Sequence, residues 1–379
     1  MENRILLSSP TMPGEEMKYI AEAFERNWIA PLGFNCDAFE KEMQDYLYGD
    51  NFQEACALAV SSCTAALHLA IKLAGVQPGD VVLCSDLTFV ASANPVSYEG
   101  AVPVFVDSER DTWNMDPVAL EKAFGKYPDA KVVLLVHLYG VPAKMDEIRE
   151  ICKKHNAVLI EDAAEALAAT YHGEPCGTLG QYNTISFNGN KIITTSGGGM
   201  LICREQAARE KALFWATQAR ENARWYQHEE IGYNYRMSNV VAGIGRGQLK
   251  YLEEHRSKKE AIYRKYEESF RDLPIAMNPY LENTRPNFWL SCMTIDRDCK
   301  VTPTQILDKL EANNIEARPI WKPMHMQPLY AACDFITAEA SAVNEDIFDR
   351  GLCLPSDIKM TEVDQQRVIR LVRSCFEEE

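Results

Sequence analysis

The run Val158-Leu159-Ile160-Glu161-Asp162-Ala163-Ala164 is a short apolar stretch of strand length that ends on two acidic residues. Such a run predicts a buried strand. In open α/β sheets, ligands bind at the carboxyl ends of the strands. The sequence therefore predicts that Asp162 delivers a carboxylate into a binding site.

Four similar runs precede this one, and stretches with the helical period separate them. The helical period is clear in Met145, Ile148, Ile151 and Cys152, which share one helix face. Alternation of this kind predicts an α/β fold with a mostly parallel central sheet covered by helices. The four earlier runs are Cys56–Val60, Val81–Cys84, Val102–Val106 and Val132–Val136.

A lysine follows the acidic strand end by about thirty residues, in Ser186-Phe187-Asn188-Gly189-Asn190-Lys191. The segment Gly197-Gly198-Gly199 comes soon after it. A lysine so placed is typical of one that forms a Schiff base with a cofactor aldehyde. Pyridoxal phosphate needs a lysine amine for its aldehyde and an acid for its ring nitrogen. Lys191 and Asp162 together predict that cofactor.

A phosphate site is predicted further upstream, in Ser61-Ser62-Cys63-Thr64-Ala65-Ala66-Leu67. This segment follows a strand and opens a helix, so its N–H groups and hydroxyls can meet a phosphate at the positive end of the helix dipole. Ser and Thr at a helix start are also ordinary N-caps. Cys63 is best interpreted as a buried thiol, because no partner base is in view.

Length and charge limit the class of protein. A chain of 379 residues predicts two domains, and we place them at residues 1–248 and 249–379, the second being a smaller α+β unit. The boundary falls where a long charged helix, Leu249 to Phe270, begins. The net charge of −16 argues against a nucleic-acid or anionic-membrane partner.

The twelve cysteines are scattered, and no Cys-x-x-Cys pair occurs. Several lie in apolar runs, where cysteine acts as a small hydrophobic residue. This usage predicts a reduced, cytoplasmic location and no metal site. No apolar run approaches the roughly 20 residues that a membrane span needs.

Seven segments, taken in order, make the chain resemble the DegT-like family of pyridoxal-phosphate-dependent sugar aminotransferases, of the aspartate-aminotransferase fold type I, over essentially its whole length. They are Trp28–Gly33, Ser62–Ala66, Thr88–Pro95, His137–Gly140, Glu161–Ala166, Ser186–Lys191 and Gly232–Ser238.

The resemblance implies a role for each matching residue. Lys191 would bind the cofactor aldehyde and Asp162 would pair with the ring nitrogen, so these two are the expected catalytic residues. The other expected cofactor contacts are Cys63, where the family usually has glycine, Thr64 and Ser186 at the phosphate, Phe89 on the ring, Glu165 near the phenolic oxygen, and Asn234 at the phosphate of the neighbouring subunit. The resemblance thus implies a homodimer with shared active sites.

On substrate, the chain looks most like the branch that acts on UDP-linked 4-keto-6-deoxy-N-acetylhexosamines for glycan or polysaccharide biosynthesis, with L-glutamate as amino donor. By resemblance, Trp28, Pro31, Leu32 and His325 would bind the nucleotide-linked keto sugar. A histidine between two methionines is equally typical of a packed side chain, and Trp321 is equally compatible with a core position.

Three other functions stay open. A sugar dehydratase would share the fold, but its known branches replace the lysine or add an iron–sulfur site, and Lys191 and the scattered cysteines argue against both. An aminotransferase for a dTDP-keto sugar or a free keto-cyclitol fits the same motifs. A non-catalytic regulator that binds pyridoxal phosphate would retain the phosphate site and lose turnover.

Overall fold

The computed structural model describes residues 4–49 and 56–377. Within them the helices are α1 Glu16–Glu25, α2 Phe34–Tyr48, α3 Cys63–Leu73, α4 Val90–Tyr98, α5 Pro117–Lys126, α6 Met145–Lys154, α7 Gln206–Ala216, α8 Asn239–Leu249, α9 Leu252–Ser269, α10 Pro303–Ala312, α11 Val343–Arg350 and α12 Glu362–Glu377. The strands are β1 Ala57–Val60, β2 Val81–Ser85, β3 Val102–Val106, β4 Val132–Val136, β5 Val158–Asp162, β6 Thr170–Tyr171, β7 Glu174–Pro175, β8 Tyr182–Ser186, β9 Gly199–Cys203, β10 Ile275–Met277, β11 Thr284–Arg285, β12 Ser291–Ile295, β13 Arg318–Pro319, β14 Phe335–Ile336 and β15 Gly351–Leu354.

Eight strands form the central sheet in the order β1-β9-β8-β5-β4-β2-β3-β14. Neighbours from β8 to β14 pair in parallel, whereas β9 is antiparallel to both β8 and β1. The mostly parallel α/β sheet predicted from the apolar runs is confirmed. All five predicted runs are strands of this sheet, β1 to β5.

Helices cover both faces of the sheet, which explains why strands such as β3 and β4 are apolar along their whole length. One face packs against residues of α3, α4 and α7 in a core that includes Leu67, Val96 and Trp215. The opposite face packs against α5 and α6 through Leu120 and Ile148. Parallel strands buried on both faces deliver their carboxyl ends to one edge, and the candidate site lies there.

Three glycines in α8 bring that helix close to α1 and α2. A Cβ on Gly245 would lie 2.5 Å from the ring of Phe39, and one on Gly247 would lie 2.7 Å from the amide nitrogen of Glu16. The Gly243–Gly247 segment is therefore a helix-packing surface and not a nucleotide-binding loop. This agrees with its sequence context, which lacks a preceding strand.

A second, four-stranded sheet, β10-β12-β15-β13, packs with α9, α10 and α12. The charged helix predicted from Leu249 to Phe270 runs from Leu252 to Ser269, after α8 has ended at Leu249. The N-terminal segment joins this part of the molecule, because Ile5 forms a parallel bridge with Ile315.

The domain division at residue 248 remains a prediction. Contacts cross it along the chain: for example, Ile5 packs with the second sheet, and Phe335–Ile336 pairs in parallel with Phe105–Val106 of the first. Among the described helices, none combines the length and apolar composition required to cross a membrane.

The outer edge of β1 is held by side chains. The carbonyl of Ala57 accepts a hydrogen bond from Arg209 Nε at 3.1 Å, and the N–H of Ala59 donates to Glu40 Oε1 at 2.8 Å. Glu40 also pairs with Arg236, whose guanidinium bonds the Ala59 carbonyl at 2.8 Å. These contacts satisfy backbone groups that an edge strand would otherwise expose.

Candidate active site

One cavity of about 310 Å³ lies at the carboxyl ends of β5 and β8, a size typical of small-molecule pockets. Seven of the residues predicted for cofactor binding or catalysis line it. They are Cys63, Thr64, Phe89, Asp162, Glu165, Ser186 and Lys191.

Asp162 is the last residue of β5 and lies on the floor of the cavity with 3% of its surface exposed. Its Oδ2 accepts a hydrogen bond from Ser92 Oγ at 2.7 Å, and its Oδ1 accepts from the Ala164 N–H at 3.0 Å. Burial raises the pKa of Asp162, while the Ser92 hydrogen bond, the Ala164 N–H and the charge of Lys191 oppose that rise. The two hydrogen bonds therefore orient the carboxylate, and a cationic ligand beside it would favour its ionised form.

Lys191 projects into the same cavity from the turn after β8. Its Nζ lies 3.8 Å from Glu165 Oε1 and 4.0 Å from the centre of the Trp289 ring. The aromatic face attracts the ammonium and excludes water from one side of it. The amine is thus held between a carboxylate and an indole at the cavity wall.

Glu165 is buried and fixed by the backbone. The Tyr139 N–H donates to Glu165 Oε2 at 2.6 Å, and Tyr139 adopts a positive φ of 53° that aims this N–H. Burial raises the pKa of Glu165, and Lys191 and the Tyr139 N–H oppose the rise. Glu165 is therefore the nearest carboxylate partner of Lys191 in the cavity.

The opposite end of the cavity is the N-terminus of α3. Ser62 Oγ accepts a hydrogen bond from the Ala65 N–H at 3.1 Å, so this serine is the N-cap, and Cys63 and Thr64 occupy the first turn. N–H groups in a first turn have no partner inside the helix and attract anions. Ser186 lines the same cavity. Burial raises the pKa of Cys63 well above its usual value, which supports the interpretation of a packed thiol rather than a nucleophile.

The close approach of β9 fixes this helix start. A Cβ on Gly199 would lie 2.3 Å from the amide nitrogen of Cys63 and 2.6 Å from the carbonyl oxygen of Ser62. Only glycine fits so near another backbone. The glycine-rich segment after Lys191 therefore supports the same anion-binding turn that lies upstream in sequence.

Five predicted residues do not line this cavity. Trp28 and Leu32 are exposed by 49% and 60%, and the backbone near Pro31 pairs with Ser238. Asn234 is also exposed, in the segment that leads to Ser238.

His325, the fifth, has both ring nitrogens engaged. Nδ1 lies 2.7 Å from Asp86 Oδ2, Nε2 lies 3.1 Å from Glu345 Oε1, and the ring stacks on Phe335 at 3.9 Å. Burial disfavours the imidazolium, but hydrogen bonds and attraction from Asp86 and Glu345 raise the pKa of His325 overall. In this chain it packs between carboxylates.

Two residues of the cavity that contact Asp162 and Lys191 were not identified from sequence, namely Ser92 and Trp289. Ser92, in the first turn of α4, lies four residues after Thr88, and their hydroxyls are 2.9 Å apart, so the Thr88–Pro95 segment contained a usable signal. Trp289 comes from a distant part of the chain with no motif around it, and nothing in the sequence signals its contact with Lys191. Trp321 lies beside Phe89, with ring centres 5.3 Å apart, at the cavity wall.

A buried cluster of His137, Glu161 and Cys176 lies behind the site, with one ligand-type atom from each within 4.8 Å. Glu161 accepts hydrogen bonds from the N–H groups of Gly177 at 2.5 Å and Leu179 at 2.7 Å, and its Oε1 lies 2.9 Å from His137 Nε2. These bonds give Glu161 a structural role in holding the loop after β7.

The chemistry of the cavity fits pyridoxal phosphate. It combines an amine for an aldehyde at Lys191, a buried carboxylate for a ring nitrogen at Asp162, and a helix N-terminus with nearby hydroxyls for a phosphate. Phe89 and Trp321 supply flat apolar surface between these groups.

Comparisons with known proteins agree with this chemistry. The model of the DegT/DnrJ/EryC1/StrS aminotransferase family matches residues 10–373. EpsN of Bacillus subtilis, provisionally assigned as a pyridoxal phosphate-dependent aminotransferase, is 48% identical over 384 residues, covering 99% of this chain and 97% of EpsN. GDP-perosamine synthase of Caulobacter vibrioides is 38% identical over 371 residues, covering 97% and 96% of the two chains.

The fold has a near match among solved structures. The aminotransferase TlmJ from Streptoalloteichus hindustanus superposes with a TM-score of 0.89 at 26% identity, covering 98% of each chain. The chain therefore belongs to the DegT/DnrJ/EryC1/StrS aminotransferase family and is a pyridoxal-phosphate-dependent sugar aminotransferase.

Proposed function

We propose that this enzyme transfers the amino group of L-glutamate to C4 of a nucleotide-linked 4-keto-6-deoxy sugar, with a UDP-linked N-acetylhexosamine as the expected substrate. The product would serve glycan or polysaccharide biosynthesis. The observation that carries the proposal is the single cavity in which the Lys191 amine, the Asp162 carboxylate and the N-terminus of α3 meet.

When bound, pyridoxal phosphate supplies an electron sink for the carbon that carries the amino group. Asp162 would keep the proton on the ring nitrogen, because an ionised carboxylate favours the cationic form of its partner. Ser92 and the Ala164 N–H hold that carboxylate in place.

Lys191 would bind the cofactor and then move a proton at its Nζ, first as a base and afterwards as an acid. Its surroundings suit this role. Trp289 covers one side of the amine, while Glu165 Oε1 lies 3.8 Å from it and gives the ammonium a partner. Both neighbours restrict the amine to the cavity wall, where a substrate carbon would have to lie.

The aromatic pair Phe89 and Trp321 would bind the flat ring and the sugar. Phe89 is 51% exposed although it is a large apolar residue, and its ring tilts 49° from that of Trp321. An exposed phenylalanine beside a half-buried tryptophan at a cavity wall is typical of a ligand contact rather than a core.

We further propose a homodimer with composite sites. Apart from His325, the predicted residues that do not line the cavity of their own chain come from two segments, residues 28–32 and 234–238. These segments are neighbours, because the Asn239 side chain donates a hydrogen bond to the Trp28 carbonyl at 2.6 Å. Exposed apolar side chains cluster in these segments and the loop before Asn234: Trp28, Ile29, Leu32, Trp225, Tyr226 and Ile231. Such a surface supports an interface through which Asn234 reaches the partner's phosphate site.

The proposed nucleotide of the substrate is UDP. The family resemblance implies UDP, whereas three relatives carry GDP in their names and one carries dTDP, and a dTDP sugar or a keto-cyclitol fits the same catalytic residues. All twelve cysteines are free thiols, which supports the proposed cytoplasmic location of these substrates and the enzyme.

The test is a substrate screen with purified enzyme loaded with pyridoxal phosphate. L-Glutamate is offered with UDP-, GDP- and dTDP-linked 4-keto-6-deoxy sugars and with a keto-cyclitol, and release of 2-oxoglutarate is followed. Lys191→Ala is the control for background release. Turnover of a UDP sugar above the others supports the full proposal. Preference for another nucleotide corrects it, and no turnover of any keto sugar contradicts it and favours the regulator.

A further inference from the structure

The backbone on both sides of Lys191 is held by residues from distant parts of the chain. The Asn190 carbonyl accepts two hydrogen bonds, from Ser8 Oγ at 3.0 Å and from Trp289 Nε1 at 2.8 Å. The Ile192 carbonyl is 3.0 Å from Nδ1 of His255, on α9. We call the backbone turn at Asn190–Ile192, which carries Lys191, the lysine turn. Its position therefore depends on the N-terminal segment and on α9, not only on the central sheet.

Lys259 lies one helical turn after His255 on the same helix, with 3% of its surface exposed. Its Nζ donates to Ser8 Oγ at 3.1 Å, to the Trp289 carbonyl at 2.9 Å and to the Ser356 carbonyl at 2.8 Å. Two of these three acceptors belong to the residues that hold the Asn190 carbonyl. One buried amine thus connects both supports of the lysine turn.

This amine is costly to bury, which argues that it is more than a packing residue. None of its three acceptors is a carboxylate, and burial lowers the pKa of Lys259 to about 7, with Asp357 opposing the shift. An ammonium has three donors and can satisfy all three acceptors, whereas an apolar side chain would leave them without a donor.

We propose that Lys259 is a positioning residue for Lys191: its ammonium fixes Ser8 and Trp289, and these two fix the turn that presents the Lys191 amine to the cavity. This inference rests on the proposed role of Lys191. Lys259 itself touches neither the cavity nor the reacting atoms, so its effect passes through the Asn190 carbonyl and the indole over Lys191.

Proton loss from Lys259 leaves two N–H donors for three acceptors, so the turn should loosen as the pH rises through neutrality. Two titratable groups face this amine: Asp357 on the segment after β15 and His255 on α9. Burial lowers the pKa of His255, whose Nδ1 contacts the Ile192 carbonyl rather than the Lys259 amine.

Hydrogen exchange of the full chain, with and without pyridoxal phosphate, tests the inference directly. The readout is the peptide that contains residues 188–195, whose amides at Lys191 and Thr195 are bonded within the turn. Lys259→Met and Ser8→Ala should each speed exchange in this peptide about five-fold or more, since each removes at least one hydrogen bond that supports it. In wild type, exchange corrected for its intrinsic pH dependence should rise above pH 7, and Lys259→Met should abolish that rise.

Tyr266→Phe is the matched control. Tyr266 is also buried on α9 and donates to the Pro355 carbonyl at 2.9 Å, next to Ser356, but it makes no bond to the lysine turn. It should leave the peptide's exchange unchanged. With substrate, the positioning variants should lower kcat about ten-fold while the KM for glutamate stays within about two-fold.

The outcomes separate this inference from the proposed function. If Lys259→Met does not fold, the Ser8→Ala variant provides the test instead. Ser8 is only half-buried, so removing its hydroxyl leaves no sizeable cavity and the variant should fold. Equal exchange in Ser8→Ala and Tyr266→Phe overturns the positioning role even if the wild type aminates a sugar. Failure of every keto sugar to react would instead overturn the proposed function and leave the exchange result standing.

Discussion

Ser92 donates a hydrogen bond to the carboxylate of Asp162, with 2.7 Å between Oγ and Oδ2. This bond opposes the burial that raises the pKa of Asp162. A hydrogen bond to the ionised form favours that form, so the serine helps to keep a carboxylate charged where the surroundings disfavour charge. Ser92, which was not identified from sequence, therefore acts on Asp162, which was.

Ser92→Ala should raise the pKa of Asp162 further. Because the carboxylate acts in its ionised form, activity is lost as the pH falls through this pKa, and the variant should lose it at a higher pH. The acid limb of the kcat/KM profile should move up by about one pH unit, as expected for one charge-assisted hydrogen bond. Ser97→Ala, an exposed serine on the same helix, is the control; identical profiles for both variants would show that the Ser92 bond is dispensable.

Asp162→Asn removes the charge and retains the shape. We expect kcat to fall by roughly two orders of magnitude or more with the fold intact, because the amide cannot hold a proton on a ring nitrogen. Steady-state kinetics measures the loss, and circular dichroism checks the fold. A near-wild-type rate would rule out the proposed pairing.

Lys191 should carry the cofactor. The purified protein should be yellow, and borohydride reduction should fix the cofactor on the peptide that contains Lys191, as mass spectrometry can determine. Lys191→Ala should fold, since the side chain lies at a cavity wall, but lose turnover by several orders of magnitude. Cofactor fixed on a different lysine would refute the assignment.

His325 gives opposite predictions for its two roles. As a packed residue with a raised pKa, it contributes stability that is present below its unfolded pKa of about 6.5 and is lost as the pH rises through the folded pKa. His325→Gln should therefore destabilise the protein more at pH 6 than at pH 8 in thermal unfolding. A rise in the KM for the sugar nucleotide with no such stability difference would instead support a substrate contact.

Asn234 should act in the partner's site. Lys191→Ala and an inactive Asn234 variant should each be poor catalysts as homodimers, yet refolding them together produces heterodimers in which one site carries both changes and the other carries none. Activity should reappear on mixing. If subunits demonstrably exchange and the mixture stays inactive, Asn234 serves its own subunit.

Local sequence patterns predicted the elements that carry the cofactor groups. The apolar run ending at Asp162 is β5, and the Ser62–Thr64 segment is the N-cap and first turn of α3. These succeed because strand periodicity and capping are properties of a few neighbouring residues. The boundary between α8 and α9 was predicted wrongly for a related reason. Leu249 was assigned to α9 although it ends α8, because a break of two residues between two helices barely changes the local sequence pattern.

Contacts between distant segments escaped prediction. Ser8, Trp289 and Lys259 lie far apart in sequence and meet only because the second sheet packs beside the lysine turn. Nothing in the sequence around Lys259 distinguishes it from Lys258 and Lys265, the other lysines of the same charged helix. Its burial is a property of the folded chain, and so is the engagement of both His325 nitrogens.

The two ends of the central sheet differ from ordinary exposed edges. At β1, Arg209, Glu40 and Arg236 occupy the backbone groups that face outward, and at the other end the two-residue strand Phe335–Ile336 presents only a short row of free N–H and C=O groups. Neither end offers a template on which a foreign strand could extend the sheet. The proposed homodimer would therefore have to form through helices and loops, with the sheet of one subunit ending at its own edge strands.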